Sequence, residues 1–560
     1  MRSTVAALIG GVAIGAVLTV GNVYVGLKTG SWDAGAVTAS LLGFALVKPL
    51  MRARGATYGL DENNLTQTVA ASAASMPSVM GLMSALPALA MLGHRVVGWM
   101  AIAWALALGT LGVLLAIPLR ELLVLRQRLP FPDAVATESA LRALHDVGAA
   151  GPARARPFAV AALSSLVLTW FRDGFPSLYA DTTPLRARIR GIAVADLGLG
   201  IAWSPMLAAI GALIGLRNGL ALLVASLFAW GWLAPWLAAQ SLISAPRYDD
   251  ALQWLLWPGV ALLASAGLVS LIVHARSLAG ALSDVTRLGR LASRRRSAVA
   301  AVALIVVAAI VALGRIGFGV APALLLAAVA LALALAPVCT RLAGEVDIAP
   351  YGAFGQLAQL TFAWLAPAQP LVNIVAASVV AGAAPQAVQT TTALKVGHLL
   401  GTPLRRQLMA QVVGVVAGAL IAWPTYAAFV ARHGIGTTAL PAPFAVAWKA
   451  VADLAGSGAA LLPHGAGLAA TVAALVGALL VLGERTRAAR WLPSPYVIGL
   501  AFLVPASTVV SLALGSIAGA LTRRAAPAWS SRNLVPALGG TIAGESLTSA
   551  VAALLRTTIR

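Results

Sequence analysis

The chain has 560 residues, 60% of them hydrophobic and only 10% charged, with a mean hydropathy of +0.89. A soluble protein of this length carries about 25% charged residues, so lipid is the solvent for most of this one. Its single cysteine, Cys339, excludes an internal disulfide framework and a cysteine-built metal site.

Apolar runs near the ~20 residues needed to cross a bilayer recur along the sequence. They place spans near 4–24, 33–50, 64–92, 97–118, 158–171, 189–215, 219–237 and 252–274. A second set follows near 298–313, 318–337, 352–383, 407–430, 466–482, 493–520 and 534–556. The expected fold is all-α: a polytopic integral membrane protein with roughly 14–16 transmembrane helices, allowing for broken ones. The polar connections are at most some tens of residues, which leaves no room for a soluble ATPase domain.

The first span begins behind Arg2, as a signal peptide would, but no A-x-A site ends it. It runs on into Asn22 and Tyr24 and is expected to stay as a helix. "GNVYVGLKTG" (21–30) then comes within one residue of a phosphate-binding loop. In G-x-x-x-x-G-K-[ST] the lysine directly follows the second glycine, whereas Leu27 here displaces Lys28 and Thr29. The next polar run, Glu62, Asn63, Asn64, Gln67 and Thr68, leads into an apolar helix. At 3.6 residues per turn Asn63 and Gln67 share one face and Asn64 and Thr68 another. Asparagine and glutamine both donate and accept, which suits the amides of a peptide or a carboxylate-rich chelate. The alternative is polar glue between helices.

An ionisable group inside lipid is costly and is a functional candidate by default. Asp196 is the only acid in its apolar segment and a candidate proton site. Glu345 and Asp347, in "AGEVDIAPYG", lie where Gly-Glu and Ala-Pro point to a broken helix, the type that lines transporter sites. Either would serve to neutralise a substrate amine, hold a metal complex or carry a proton. Glu545, in "AGES", is of the same class. The histidines show no H-E-x-x-H spacing, so no resident metal or other cofactor is expected; His398, beside Lys395, is the one singled out. A membrane-embedded enzyme is a remote alternative, since no G-x-S-x-G elbow appears.

The net charge of +21 invites a nucleic-acid reading that its placement opposes. Arginines cluster between spans, at 120–156 and 287–296, as basic cytoplasmic loops do. This sets both termini inside. Internal similarity divides the chain into a first membrane repeat (1–275), a basic cytoplasmic linker (276–297) and a second repeat (298–560). "LPFPDAVA" (129–136) returns as "LPAPFAVA" (440–447), "SPMLAAIGALIG" (204–215) as "SPYVIGLAFLVP" (494–505), and "GLKTG" (26–30) as "ALKVG" (393–397), in the same order. Only four of the 39 basic residues are lysines, and Lys28 and Lys395 occupy matching places in the last pair. A compact point charge is therefore wanted there, unless both merely snorkel to the interface.

"DENNLTQTVAASAASM" (61–76), "LPFPDAVATESAL" (129–141), "RLAGEVDIAPYGAFGQLAQL" (341–360), "ALKVGHLLGTPLRRQLMAQVVG" (393–414) and "GGTIAGESL" (539–547), with "GNVYVGLKTG" and "LPAPFAVAWKA" (440–450), resemble the oligopeptide transporter (OPT) family. The likeness is nearest to its prokaryotic and yellow-stripe-like branch and covers almost the whole chain. It implies proton-coupled uptake of small peptides or metal chelates through about sixteen helices descended from duplication. The alternative it implies is a dedicated metal–siderophore importer. The chain departs from the family's usual QDLKTG, having Ala393 in place of the carboxylate and Val396 in place of the threonine. Lipid and the substrate are the expected partners, in a prokaryotic inner membrane; homo-oligomerisation is left open.

Overall fold

The computed structural model describes the backbone of residues 2–29, 35–145, 151–174, 182–287, 293–347, 349, 351–436, 440, 442–456, 463–484, 486 and 492–558. The chain opens with α1 (Arg2–Thr29), α2 (Ala36–Leu42), α3 (Lys48–Ala53) and α4 (Leu60–Val79). There follow α5 (Ala85–Met91), α6 (Gly98–Leu119), α7 (Pro132–His145) and α8 (Gly151–Gly174), with a π-helical stretch, Arg120–Arg126, extending α6. Two nested antiparallel ladders come next. In the outer one β1 (Thr182–Pro184) pairs with β4 (Gly200–Ala202), and in the inner one β2 (Arg188–Ile189) pairs with β3 (Ile192–Ala193). Then come α9 (Pro205–Ile214), α10 (Leu216–Ser226), α11 (Ala234–Ala239) and α12 (Tyr248–Arg287).

The remaining helices are α13 (Ser293–Phe318), α14 (Pro322–Val346), α15 (Tyr351–Leu365), α16 (Pro370–Leu400) and α17 (Leu404–His433). They are followed by α18 (Pro443–Gly456), α19 (Ala466–Gly483), α20 (Pro495–Ala501), α21 (Ala506–Ala525) and α22 (Pro527–Thr558). Among the described residues ten helices are long and apolar enough to cross a membrane. Several of the expected 14–16 runs fold as shorter or more polar pieces, while the 252–274 run lies within the 40-residue α12. The 493–520 run is split into α20 and α21, and 352–383 into a 15-residue helix and part of α16. The 189–215 run is not a span at all: Arg186, Arg188, Arg190 and the left-handed Gly191 and Gly198 fold it into hairpins, and only α9 is helical. The expected linker, 276–297, is helical as far as Arg287.

Burial inverts the pattern of a soluble protein. The outer helices α13 and α19 bury only 17% of their span windows and expose Leu304, Ile305, Leu468, Leu475 and Leu479. Apolar residues face outward where lipid replaces water. α16 buries 89% of its window and forms the centre, packed by α6, α14 and α15.

Polar α4 is held beside it by small residues. Gly11 and Gly15 of α1 approach so closely that an added Cβ would meet the Thr66 oxygen at 2.7 Å and the Ala73 Cβ at 2.9 Å. On the other flank Gly414 and Gly418 of α17 would meet the Val69 and Ala73 carbonyl oxygens at 2.5 Å. Two small-xxx-small pairs thus clamp α4, the usual device where no hydrophobic force drives helices together.

The two copies of the L-P-x-P motif share an unusual backbone. Phe131 and Ala442, each just before the proline that opens α7 or α18, have φ of 49° and 46°. Left-handed φ is uncommon outside glycine, and both residues bond to a segment distant in sequence. The Phe131 N–H donates to the Gly344 carbonyl (2.9 Å), and the Ala442 N–H to that of Leu27 (2.8 Å).

Candidate functional site

A buried stripe of amides and hydroxyls runs between α4, α16 and α17. The Asn64 Nδ2 donates to Thr402 Oγ1 (2.9 Å), whose hydroxyl donates to Asp61 Oδ1 (2.8 Å). Gln67 Nε2 donates to Asn64 Oδ1 and Thr68 Oγ1, and Thr68 contacts Gln407 Oε1 at 2.8 Å. One turn further, Ser75 donates to Gln386 Oε1 (2.8 Å), and Gln386 Nε2 reaches Ser72 Oγ and Gln411 Oε1. Three atoms of the stripe, Gln67 Oε1, Gln407 Nε2 and Gln411 Nε2, are buried without a hydrogen-bond partner among the described residues. Turning any of these amides over exchanges its O and N but leaves one end unmatched. Unmatched buried amides are rare and costly, and a water, an ion or a ligand is what completes them.

The face assignment differs from the expectation. Asn63 turns away from Gln67: its Nδ2 contacts the Ser40 carbonyl and His145 Nε2, and its Oδ1 accepts from Tyr58. These bonds tie α4 to α2, α7 and the Tyr58 turn. The i, i+3, i+4 set Asn64, Gln67, Thr68 makes the stripe, and the i, i+4 pair Asn63, Gln67 does not. Glu62 accepts from the Gly59 N–H at 3.0 Å and caps α4. Asn22 donates to the Ala74 carbonyl (2.8 Å), and Tyr24 is buried with its ring 5.7 Å from that of Phe429. The Lys28 side chain lies outside the described residues.

The two A-G-E glutamates form matching clamps. Glu345, 6% exposed in the last turn of α14, takes Arg341 Nε on Oε1 (2.8 Å) and the Ser494 hydroxyl on Oε2 (2.5 Å). Arg341 also reaches Glu484 (3.3 Å) and lies 4.4 Å over the Tyr496 ring. Glu545, 4% exposed in α22, takes Arg172 (2.9 Å) and the Ser204 hydroxyl (2.9 Å) on Oε1, and the Met206 N–H (2.7 Å) on Oε2. Ser494 and Ser204 are the N-caps of α20 and α9, each followed by proline. Each glutamate therefore holds the start of a short helix, where the helix dipole favours an anion. The helix break foreseen near Glu345 falls two residues later, at Asp347, which ends α14 with φ 62° and accepts the Asp133 N–H of α7 (3.2 Å). Asp196 is exposed in a turn between β3 and β4, outside any span; the arginine- and glycine-rich hairpins around it account for that place.

Lys395 presents the opposite case. It is 8% exposed, near the end of α16, and has no hydrogen-bond or ion-pair partner among the described residues. The end of α16 packs on the extension of α6, where Val396 joins Leu119, Leu122 and Leu123 in one apolar cluster. The sequence reading missed Arg172, Arg341, Gln386, Gln407 and Gln411. Glutamines in mid-span were the available signal, because an amide in an apolar helix needs a partner or a ligand as much as a charge does.

The ten apolar helices, the lipid-facing exterior and the buried polar interior define a multi-pass membrane protein with an internal polar site. The chain belongs to the oligopeptide transporter family: the profile described as "OPT oligopeptide transporter protein" matches residues 2–556. Its members are transporters and not enzymes. A Haemophilus influenzae protein named "Putative oligopeptide transporter" is 30% identical over 224 residues, covering 40% of this chain and 33% of that protein. A rice (Oryza sativa subsp. japonica) "Probable metal-nicotianamine transporter" is 26% identical over 508 residues, 79% of this chain and 71% of its own. A Saccharomyces cerevisiae "Putative oligopeptide transporter" is 22% identical over 589 residues, 80% of each chain. No group of three or more His, Cys, Asp or Glu able to hold a metal occurs among the described residues.

Proposed function

We propose that the chain is a secondary transporter importing small peptides or peptide-like metal chelates, driven by protons, across a prokaryotic inner membrane with both termini in the cytoplasm. The supporting observation is the buried stripe of α4, α16 and α17, whose unmatched amide ends at Gln67, Gln407 and Gln411 suit the backbone amides and carboxylates of such a substrate. Glu345 and Glu545, each bridged to an arginine and to a helix N-cap, act as struts of the moving parts. A chelate cargo is the second reading, favoured by the metal-nicotianamine names of the rice relatives.

Uptake into proteoliposomes tests both readings, with radiolabelled tri-alanine and ferric nicotianamine offered under an imposed inward proton gradient. Accumulation that follows the gradient and ignores ATP is the expected result. Accumulation by the purified chain that needs ATP, or that is unchanged when the gradient is collapsed by an uncoupler, overturns the coupling. Uptake of neither compound overturns the substrate class.

A further inference from the structure

We infer that the nested hairpins between α8 and α9 are a docking surface for anionic phospholipid headgroups. The inner hairpin turns at Arg190 and Gly191, with φ of 54° and 82°, the backbone of a two-residue type I′ turn. It is seated on the protein by apolar residues: Ala187, Ile192, Val194 and Leu199 share a cluster with Trp230, of the π-helical stretch Leu227–Leu233, and Leu255 of α12. What this packing leaves out is basic and apolar together. Leu185, Arg186, Arg188, Ile189 and Arg190 are all exposed. The three arginine side chains have no ion pair or hydrogen bond among the described residues. The acids of this region, Asp196 in the hairpin and Asp249 and Asp250 at the start of α12, form no ion pair with them.

Exposed aromatic side chains mark the depth at which this surface sits. They are Trp170 and Phe171 near the end of α8, Trp203 beside β4, and Phe228 and Trp232 of the π-helical stretch. Contacts bring them to the base of the hairpins. Arg172 Nη1 donates to the Trp203 carbonyl (2.9 Å), and Trp203 Nε1 donates to Thr183 Oγ1 (2.7 Å). A Cβ added at Gly231 would lie 3.8 Å from Leu199. Exposed aromatics gather where lipid meets water, at the level of the headgroups. Guanidinium groups at that depth meet phosphate oxygens, which fit their planar fork. Leu185 and Ile189 add apolar contact with the upper acyl chains, as in other interfacial segments. A zwitterionic headgroup cancels its own phosphate charge, so three unpaired cations select an anionic lipid.

The hairpins also join the Glu545 clamp. The Arg172 Nη1 that holds the Trp203 carbonyl donates to Glu545 Oε1 as well (2.9 Å), and Ser204, the next residue, caps α9. Headgroups held at the hairpins should therefore steady the start of α9 and raise the unfolding midpoint. The proposal rests on the membrane fold and is independent of the substrate carried.

The test titrates the purified full chain in dodecyl maltoside with dioctanoyl phosphatidylglycerol, dioctanoyl phosphatidylcholine and inorganic phosphate. The unfolding midpoint and, by native mass spectrometry, the bound lipid are followed. Phosphatidylglycerol should bind and stabilise at lower concentration than phosphatidylcholine. Arg186→Gln/Arg188→Gln/Arg190→Gln should weaken phosphatidylglycerol by about fivefold per arginine and leave phosphatidylcholine unchanged. Lysine at the same three positions should keep most of the preference, which separates loss of charge from damage to the hairpins. Arg405→Gln/Arg406→Gln, at the exposed start of α17, controls for net charge and should weaken the lipid less per arginine removed. Equal affinity for the two lipids overturns the proposal and leaves an acidic protein as the partner these arginines fit. A preference that survives in the glutamine variant, or a loss per arginine no greater than in the control, also overturns it. Protection by inorganic phosphate at the concentrations effective for the lipid would make this a free-anion site and not a lipid one.

Discussion

Glu345, Glu545 and Lys395 are buried to nearly the same extent, at 6%, 4% and 8% exposure, yet their surroundings are opposite. Each glutamate has an arginine within 3 Å and a serine hydroxyl that opens a short helix. The lysine has no such partner among the described residues. Burial alone does not tell function from structure inside a membrane. A buried acid already bonded to an arginine and a serine and a buried lysine without an ion-pair partner among the described residues should answer substitution in opposite ways.

The largest effect should come from breaking a strut on one side only. Arg341→Met leaves Glu345 buried without its counter-ion and should destabilise the chain by ~3–5 kcal/mol. Thermal unfolding in detergent reads this as a lowered midpoint. Arg341→Met/Glu345→Met together should regain much of the loss, because no lone charge is left inside. A double variant no better than the single one would mean that Arg341 acts mainly through Glu484 and Tyr496.

The clamp that presents the amide stripe should break next. Gly414→Leu forces a side chain against the Val69 carbonyl and Ser72, with an overpacking cost of about 1–3 kcal/mol. It also moves α17, and with it Gln407 and Gln411, away from α4, so uptake should fall further than stability. Unaltered uptake in this variant would place the substrate elsewhere.

A finer comparison lies between the two serines. Both donate to an A-G-E glutamate, but only Ser204 also caps its helix, accepting the Leu207 N–H at 3.1 Å. Ser204→Ala should therefore cost more than Ser494→Ala, by the ~1 kcal/mol of an N-cap. Equal midpoints for the two variants would make the clamps equivalent and the cap irrelevant.

Much of this was legible in the residues. Composition alone yields the helical membrane fold, because few charges and long apolar runs admit no other solvent. The A-G-E and S-P repeats were visible as strings, but that Glu545 bonds Ser204 across 341 positions is a tertiary fact that no local pattern encodes. Asp196 misled for a physical reason. Its segment is apolar enough to read as a span, and only the arginines and left-handed glycines beside it reveal the hairpins. Periodicity placed Asn63 with Gln67, yet a helix buried on all sides has no single face to predict, and its neighbours decide where each amide turns. Lys395 was legible as a rare lysine in an arginine-rich chain; the lack of an acid beside it was not.

The smallest effect on stability should accompany one of the largest on function. Lys395→Met replaces a buried cation that has no ion-pair partner in the described fold by an apolar side chain of similar length. Nothing is stranded, since no carboxylate depended on it, and the desolvation cost of the charge disappears. The unfolding midpoint should stay level or rise, in contrast to the fall expected for Arg341→Met, while substrate uptake fails. The same thermal scan on both variants measures the contrast directly. A midpoint lowered as far as that of Arg341→Met would show that Lys395 has a structural partner, and the distinction between strut and binding site would collapse. A raised midpoint with full uptake would make it a snorkelling lysine that the chain does without.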